Sequence, residues 1–210
     1  MSIPILYEDG DVVAVEKPRG VLTEGELPAL LREACGTLFV VHRLDKGTGG
    51  AIVLAKSSRA AAYLTRVIGE GRLQKEYLAV VHGAPAEKTG EWTDLLYHDP
   101  RKNKSFVVGR ERRGVRSARL GYAVQGGCED EALGALSLVR IRLYTGRTHQ
   151  IRVQFSSRGL PLAGDRRYGA RDDLREIALW SHTLSFPRPA DGETVTVVSA
   201  PPEELPWTLF

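Results

Sequence analysis

Short runs of apolar and β-branched residues recur along most of the chain without regular alternation with helices. In residues 139–143 three apolar residues alternate with two arginines, and in residues 194–197 threonine alternates with valine. A period of two is typical of a half-exposed β-strand. Runs of strands that regular helices do not separate favour a mixed or antiparallel sheet over a doubly wound parallel one. Because no Gly- or Ser-rich linker divides the chain, the sequence predicts one α+β domain over residues 1–210.

Local signals predict the other elements. An Asp-Gly turn predicts a hairpin of residues 5–7 with 12–15. An amphipathic pattern ending at Gly36 predicts a helix over residues 27–34. A second helix begins after a cap at Ser57 or Ser58. Residues 125–131 are predicted to be a turn. Further strands are predicted at residues 51–55, 77–81, 106–108, 118–124, 133–144, 177–186 and 194–198.

Composition excludes several classes of protein. The two cysteines are too few for a disulfide framework or for a zinc site of thiolates alone. Because the sequence has neither a long apolar run nor an N-terminal signal pattern, we expect a cytoplasmic protein without a membrane partner. The spacing of the five histidines matches no zinc motif, and we expect no metal and no cofactor.

Positive charge is concentrated in residues 101–119, which we call the basic arm. The arm holds eight basic side chains and one acidic one, although the whole chain has a net charge of only +3. Most of the basic residues in the chain are arginines, whose planar fork binds phosphate through two hydrogen bonds. A solvated hairpin would explain the arm, but this concentration of charge favours a nucleic-acid partner.

Two polar segments are candidates for chemistry. Residues 41–50 form a glycine-containing loop before an apolar strand, and in it Asp45 has Arg43 and Lys46 as neighbours. Nearby cations keep a carboxylate ionised, so that it can act as a nucleophile or a base. A turn in which the aspartate bonds to its own backbone would explain the same residues. Residues 144–155 form the second segment, whose apolar spacing fits either a strand or a helix.

Five segments, taken in order, resemble the RluA family of RNA pseudouridine synthases. Residues 42–50 resemble the catalytic loop of that family, residues 75–77 its tyrosine motif and residues 146–153 its third motif. Residues 8–20 resemble its opening element, and residues 161–169 resemble the element that follows the third motif. Together these segments cover nearly the whole chain.

The resemblance implies an isomerase that converts uridine in RNA to pseudouridine without a cofactor. It implies a mixed, largely antiparallel sheet flanked by helices and loops, with a central active-site cleft. By position, Asp45 is the catalytic aspartate, Tyr77 stacks on the target base and takes part in proton removal, and Arg152 pairs with the Asp45 carboxylate. Arg43 fills the gap that the flipped nucleotide leaves. The segment around Ile151 becomes a helix. The other predicted substrate-binding residues are Thr48, Arg147, Lys104, Arg112, Arg113 and Arg116.

The chemistry of this reaction agrees with such a site. The base must leave the helix, and a carboxylate must lie near the sugar. Attack on C1′ and proton abstraction from C2′ both remain compatible with one carboxylate. A glycosidase typically uses two carboxylates, whereas these motifs supply one. The other alternative is an inactive RNA-binding or RNA-chaperone protein with the same fold. For a ring at the start of an apolar strand, such as Tyr77, a core position is the more common explanation.

The sequence departs from the family pattern at Gly49, where the family usually has serine. Many members also carry an N-terminal RNA-binding domain, and because the first motif begins at Ile5 we expect a form without it. The basic arm is then predicted to grip the RNA backbone in its place. We expect a monomer that acts on a stem-loop of tRNA or rRNA, and no DNA partner.

Overall fold

The computed structural model of the protein describes residues 3–210. They form two compact units. Unit 1 is the chain up to Glu76 together with Trp180–Pro201, and unit 2 is Tyr77–Leu179 with Pro202–Phe210. The expected single catalytic domain stays a prediction, and the two units are described in turn.

The described residues form eleven strands and three α-helices. The helices are α1 (Glu26–Cys35), α2 (Ser58–Gly69) and α3 (Gln150–Ser156). The strands are β1 (Ile5–Glu8), β2 (Val12–Lys17), β3 (Phe39–Val40), β4 (Gly49–Ala55), β5 (Gln74–His82), β6 (Thr89–Asp99), β7 (Lys104–Val108), β8 (Val115–Asp130), β9 (Gly134–Leu143), β10 (Leu179–Pro187) and β11 (Thr194–Val198).

Unit 1 is built on a mixed sheet. Its strands follow the order β1-β2-β4-β10, with β3 paired to β4 and β11 paired to β10. All these pairs are antiparallel except β4 with β10, which is parallel. Every residue of β4 is buried. Helix α2 packs Ala60, Leu64 and Val67 into the same apolar cluster as β2, β4 and β10, so β4 is the central strand of this unit.

Unit 2 contains an antiparallel sheet in the order β9-β8-β6-β7. Val153 of α3 packs against Leu96 and Ala118 of this sheet, together with Tyr168. The helix implied for the segment around Ile151 is therefore confirmed, as is the mixed and largely antiparallel character of the fold.

The local predictions succeeded where a turn or a cap fixes the chain. The hairpin of β1 and β2 is confirmed, and the Ser57 hydroxyl caps α2 by accepting the Ala60 N–H at 3.1 Å. Gly36 ends α1 with φ of 73° and donates its N–H to the Arg32 carbonyl. Such a positive φ favours glycine over any other residue.

The turn predicted at residues 125–131 is wrong. Strand β8 continues to Asp130 and pairs with β9 from Leu120 to Asp130, with an irregular register between Val124 and Gly126. Because a bulge absorbs the extra residue, the glycines there bend a long strand without ending it. The turn itself lies after Asp130, whose carboxylate accepts the N–H groups of Ala132 and Leu133. Strand β6 was not predicted at all.

None of the helices within residues 3–210 has the length and apolar character needed to cross a membrane. Met1 and Ser2, the start of the segment considered as a signal, lie outside the described residues.

Candidate active site

The backbone of the Asp45 loop is fixed on both sides of the aspartate. The buried Thr23 hydroxyl donates to the Leu44 carbonyl at 2.9 Å and accepts the Leu44 N–H at 3.1 Å. On the other side, the Gly20 N–H donates to the Lys46 carbonyl at 2.8 Å. Asp45 itself is half-buried between these anchors. A loop held in this way presents one carboxylate in one position, which catalysis requires.

A buried ammonium lies within electrostatic range of this carboxylate. Lys17 is fully buried at the end of β2, and its Nζ donates to the carbonyls of Pro18 and Val21 at 2.9 and 2.8 Å. Burial lowers the pKa of Lys17 to about 8, while the negative charge of Asp45 opposes this shift. Lys17 is therefore still mostly protonated at neutral pH, so a positive charge faces the Asp45 loop. In the sequence, Lys17 is recognisable only as part of the opening element.

The other predicted residues of the loop differ in exposure. Arg43 is exposed, as a side chain that enters an RNA helix must be, whereas Thr48 is almost completely buried. The Thr48 N–H donates to the Asp45 carbonyl at 2.9 Å and closes the turn that carries the aspartate. These contacts make Thr48 part of the loop's frame, and its role in substrate binding stays a prediction.

Gly49 follows this turn and is the first residue of β4. It lies opposite Trp180 in the parallel pair of β4 with β10. A Cβ at position 49 would lie 2.8 Å from Cη2 and 2.9 Å from Cε3 of the indole, and closer still to Cζ3. The indole is held in place because its Nε1 donates to Ser199, whose hydroxyl donates to Glu16 at 2.7 Å. Trp180 therefore occupies the space that the usual serine would need.

We expect Gly49→Ser to destabilise the protein by about 1–3 kcal/mol, because the new side chain overpacks against the indole. Urea unfolding of Gly49→Ser, Trp180→Ala and the double variant measures this effect, and Gly49→Ser should cost much less in the Trp180→Ala background, where the clash is gone. Gly10→Ser is the matched control, since a Cβ there has nothing within 4 Å. Equal unfolding midpoints for Gly49→Ser and wild type would show that the indole is not the obstacle.

In unit 2, Arg152 projects from α3 into a buried ion pair. Its Nε and Nη2 donate to the two carboxylate oxygens of Asp165 at 2.6 and 2.8 Å, and both side chains are at least nine-tenths buried. The fork geometry fixes the guanidinium in one plane. The predicted pair of Arg152 with Asp45 joins residues of different units and stays a prediction. In the sequence, Asp165 is recognisable only as part of the element after the third motif, and nothing there indicates that it pairs with Arg152.

Tyr168 connects α3 with β7. Its hydroxyl accepts the Ser105 N–H at 2.7 Å and lies 3.0 Å from Nδ1 of His149. The guanidinium carbon of Arg152 lies 4.9 Å from the centre of the Tyr168 ring. The Ser156 hydroxyl donates to the Tyr168 carbonyl at 2.6 Å. The third motif and the element after it thus form one packed cluster around Arg152.

Tyr77 is buried on β5, with 6% of its surface exposed. Burial is what the core interpretation of this residue predicts. Its role in stacking on a target base stays a prediction.

The remaining predicted substrate-binding residues lie in unit 2. Arg112, Arg113 and Arg116 are exposed on the basic arm, and Arg112 lies 4.9 Å from the centre of the Tyr97 ring. Arg147 contacts the arm, because its Nε donates to the Ser117 carbonyl at 2.9 Å. Lys104, at the start of β7, donates to the carbonyl of Arg167 at 2.7 Å.

Several known proteins are similar to this chain in sequence and in fold. Residues 11–157 match the family model described as RNA pseudouridylate synthase. The chain is 33% identical over 223 residues to the Bacillus subtilis protein named uncharacterized RNA pseudouridine synthase YlyB, a match that covers 98% of this chain and 71% of that protein. It is 30% identical over 213 residues to ribosomal large subunit pseudouridine synthase C of Buchnera aphidicola subsp. Schizaphis graminum, covering 93% and 66% of the two chains.

Among solved structures, human RNA pseudouridylate synthase domain containing 1 matches with a TM-score of 0.85 and 27% sequence identity. The match covers 96% of this chain and 84% of the human chain. The ordered motifs, the mixed sheet and these matches agree, and the chain belongs to the RNA pseudouridylate synthase family of isomerases.

Proposed function

We propose that this chain converts uridine to pseudouridine in a structured RNA without a cofactor, with Asp45 as the catalytic carboxylate. The observation that carries the proposal is the Asp45 loop. Its backbone is anchored by Thr23 and Gly20, Asp45 is half-buried, and the buried ammonium of Lys17 lies within electrostatic range of it. An RNA-binding protein without catalysis has no need of an aspartate held in this way.

The proposed reaction makes and breaks bonds at one sugar and one base. The bond between N1 and C1′ breaks, the freed uracil turns, and C5 bonds to C1′. C5 then loses its proton and N1, which kept the electron pair of the broken bond, takes up a proton, so that the product has the same atoms and charge as uridine. Extrusion of the uridine from a helix costs a few kcal/mol. The exposed Arg43 is proposed to fill the gap in the helix, and Tyr77 to stack on the extruded base and assist proton removal.

Between the two RNA classes, we propose a ribosomal RNA stem-loop as the target. Support comes from the Buchnera relatives, which are named as ribosomal large subunit pseudouridine synthases. A transfer RNA is the alternative, and the experiment below includes both.

Release of tritium from RNA labelled at uridine C5 tests the function directly. Isomerisation must release this label, whereas binding alone does not. We expect the protein to release tritium from a ribosomal RNA pool and much less from a transfer RNA pool. Release from transfer RNA alone would contradict the proposed target. Binding of both pools without release would favour the inactive RNA-binding protein instead.

We further propose that the basic arm contacts the RNA backbone through Arg112, Arg113 and Arg116. All three side chains are exposed on one short segment. Each phosphate that a protein neutralises releases counterions, so affinity falls as salt rises. Replacing all three by alanine should reduce the slope of log affinity against log salt by up to about 2 to 3. A slope equal to that of wild type would show that the arm does not bind RNA.

A further inference from the structure

Unit 2 contains a cavity of about 440 Å³ whose charged lining is almost entirely arginine. Four arginines line it, Arg152, Arg166, Arg167 and Arg175, with Asp165 as the acidic member of the lining. We infer that this cavity is a phosphate-binding site that takes a backbone phosphate of the RNA substrate. The inference rests on the proposed function for the identity of the substrate, and it gives the cavity a role beyond the predicted pairing of Arg152 with Asp45.

Among the residues that line the cavity, four guanidinium groups stand against one carboxylate. Asp165 is committed to Arg152 through two short hydrogen bonds, so this carboxylate balances one of the four guanidinium groups. Arg166 approaches Asp173 at 3.6 Å, but both side chains are well exposed, and such surface pairs contribute little. Arg175 is also exposed. A lining with more guanidinium groups than carboxylates favours the binding of an anion, and the planar fork of arginine matches the geometry of a phosphate.

Arg167 is placed by the backbone of the basic arm. Its Nη1 donates to the carbonyls of Lys102 and Asn103 at 3.1 and 2.8 Å, which fixes the guanidinium without neutralising it. In return, Lys104 donates to the Arg167 carbonyl at 2.7 Å. The first turn of the arm is therefore attached to the wall of the cavity. A nucleic-acid strand with one phosphate in the cavity can place its next phosphates along the arm. A free phosphate ion would make no use of the arm, so this attachment favours RNA as the ligand.

The lining around Gly164 is rigid as well. Gly164 has φ of +77°, and a Cβ there would lie 2.8 Å from the Glu176 carbonyl carbon, so this close approach requires glycine. The Gly164 N–H donates to the Asp172 carboxylate at 2.9 Å, and Nε2 of His82 lies 2.6 Å from the same carboxylate. Asp172 also accepts the Leu174 N–H. A site whose walls are fixed before binding loses little entropy when its ligand enters.

A salt titration with cavity variants tests the site. The probe is a fluorescein-labelled RNA hairpin, and the variant is Arg166→Gln/Arg175→Gln. The slope of log affinity against log salt should fall by about 1 to 2 relative to wild type, because phosphate contacts are lost. The control is Arg59→Gln/Arg171→Gln, which removes the same charge from exposed positions outside the cavity and should keep more of the slope. Equal slopes for the two double variants would overturn the inference. Thermal unfolding of both variants checks that they are folded.

Inorganic phosphate at constant ionic strength identifies the source of the anion. If RNA alone occupies the site, added phosphate should leave RNA affinity unchanged in wild type. Competition in wild type that disappears in the cavity variant would show a phosphate site that also takes the free ion. Tritium release on the same preparations separates this inference from the proposed function. Without release by wild type the function fails while the binding result stands, and with release and equal slopes only the inference fails.

Discussion

Replacement of Asp45 by asparagine is expected to reduce the single-turnover rate of tritium release by at least about 10²- to 10⁴-fold, the usual range for a group that transfers protons in catalysis. Asparagine has nearly the same size as aspartate but no negative charge. The backbone anchors of the loop involve the Thr23 hydroxyl and main-chain groups, so the loop should keep its position. The loss should therefore appear in the rate, and thermal unfolding of the variant checks that it is folded.

Matched controls make this result specific. Asp191→Asn makes the same chemical change in the exposed turn between β10 and β11, and it should release tritium at the wild-type rate. The affinity of Asp45→Asn for RNA, measured in parallel, separates loss of binding from loss of chemistry. Substantial release by a folded Asp45→Asn variant would remove Asp45 from the mechanism.

An isotope effect separates the two mechanisms that one carboxylate allows. In RNA deuterated at C2′ of uridine, proton abstraction from C2′ would give a primary isotope effect on the wild-type rate. Attack of Asp45 on C1′ breaks no bond to that deuterium and would give only a small secondary effect.

Sequence predicted those parts of the fold whose signals are local. The α2 cap at Ser57 and the alternation in β11 depend on residues only a few positions apart, and both elements formed where they were predicted. Strand β6 was missed because its residues are mostly polar or half-exposed, and only Leu96 is buried. The glycines in β8 resembled a turn because a bulge and a turn use the same residue type.

The site shows the same division. Motifs identified the Asp45 loop, but its physical frame depends on partners that no local pattern reveals. Trp180 lies far along the chain from Gly49, and this indole explains the glycine only once β4 and β10 are seen to pair. The sequence likewise gives no sign that Arg152 pairs with Asp165 or that Lys17 is buried, because both depend on the three-dimensional structure.

The second large effect is expected at the buried ion pair of Arg152 with Asp165. Asp165→Asn should lower the free energy of unfolding by about 3–5 kcal/mol, because a buried guanidinium then loses the carboxylate that compensates its charge. Urea unfolding measures the loss. Glu70→Gln, which breaks the exposed contact with Arg66, should unfold close to wild type. A comparably small effect of Asp165→Asn would show that the pair contributes little to the folded state.

A paired replacement then separates folding from catalysis at Arg152. In Arg152→Met/Asp165→Leu both charges are gone, and such exchanges of a buried pair for apolar residues are often neutral or stabilising. We expect this variant to regain most of the stability that Asp165→Asn loses. Tritium release should nevertheless stay low, because the family resemblance implies that Arg152 pairs with the Asp45 carboxylate, and methionine cannot form this pair. Recovery of both stability and release would show that Arg152 has a structural role only. The orientation of Asp45 would then depend on groups of its own unit, and the buried Lys17 would be the first of these to test.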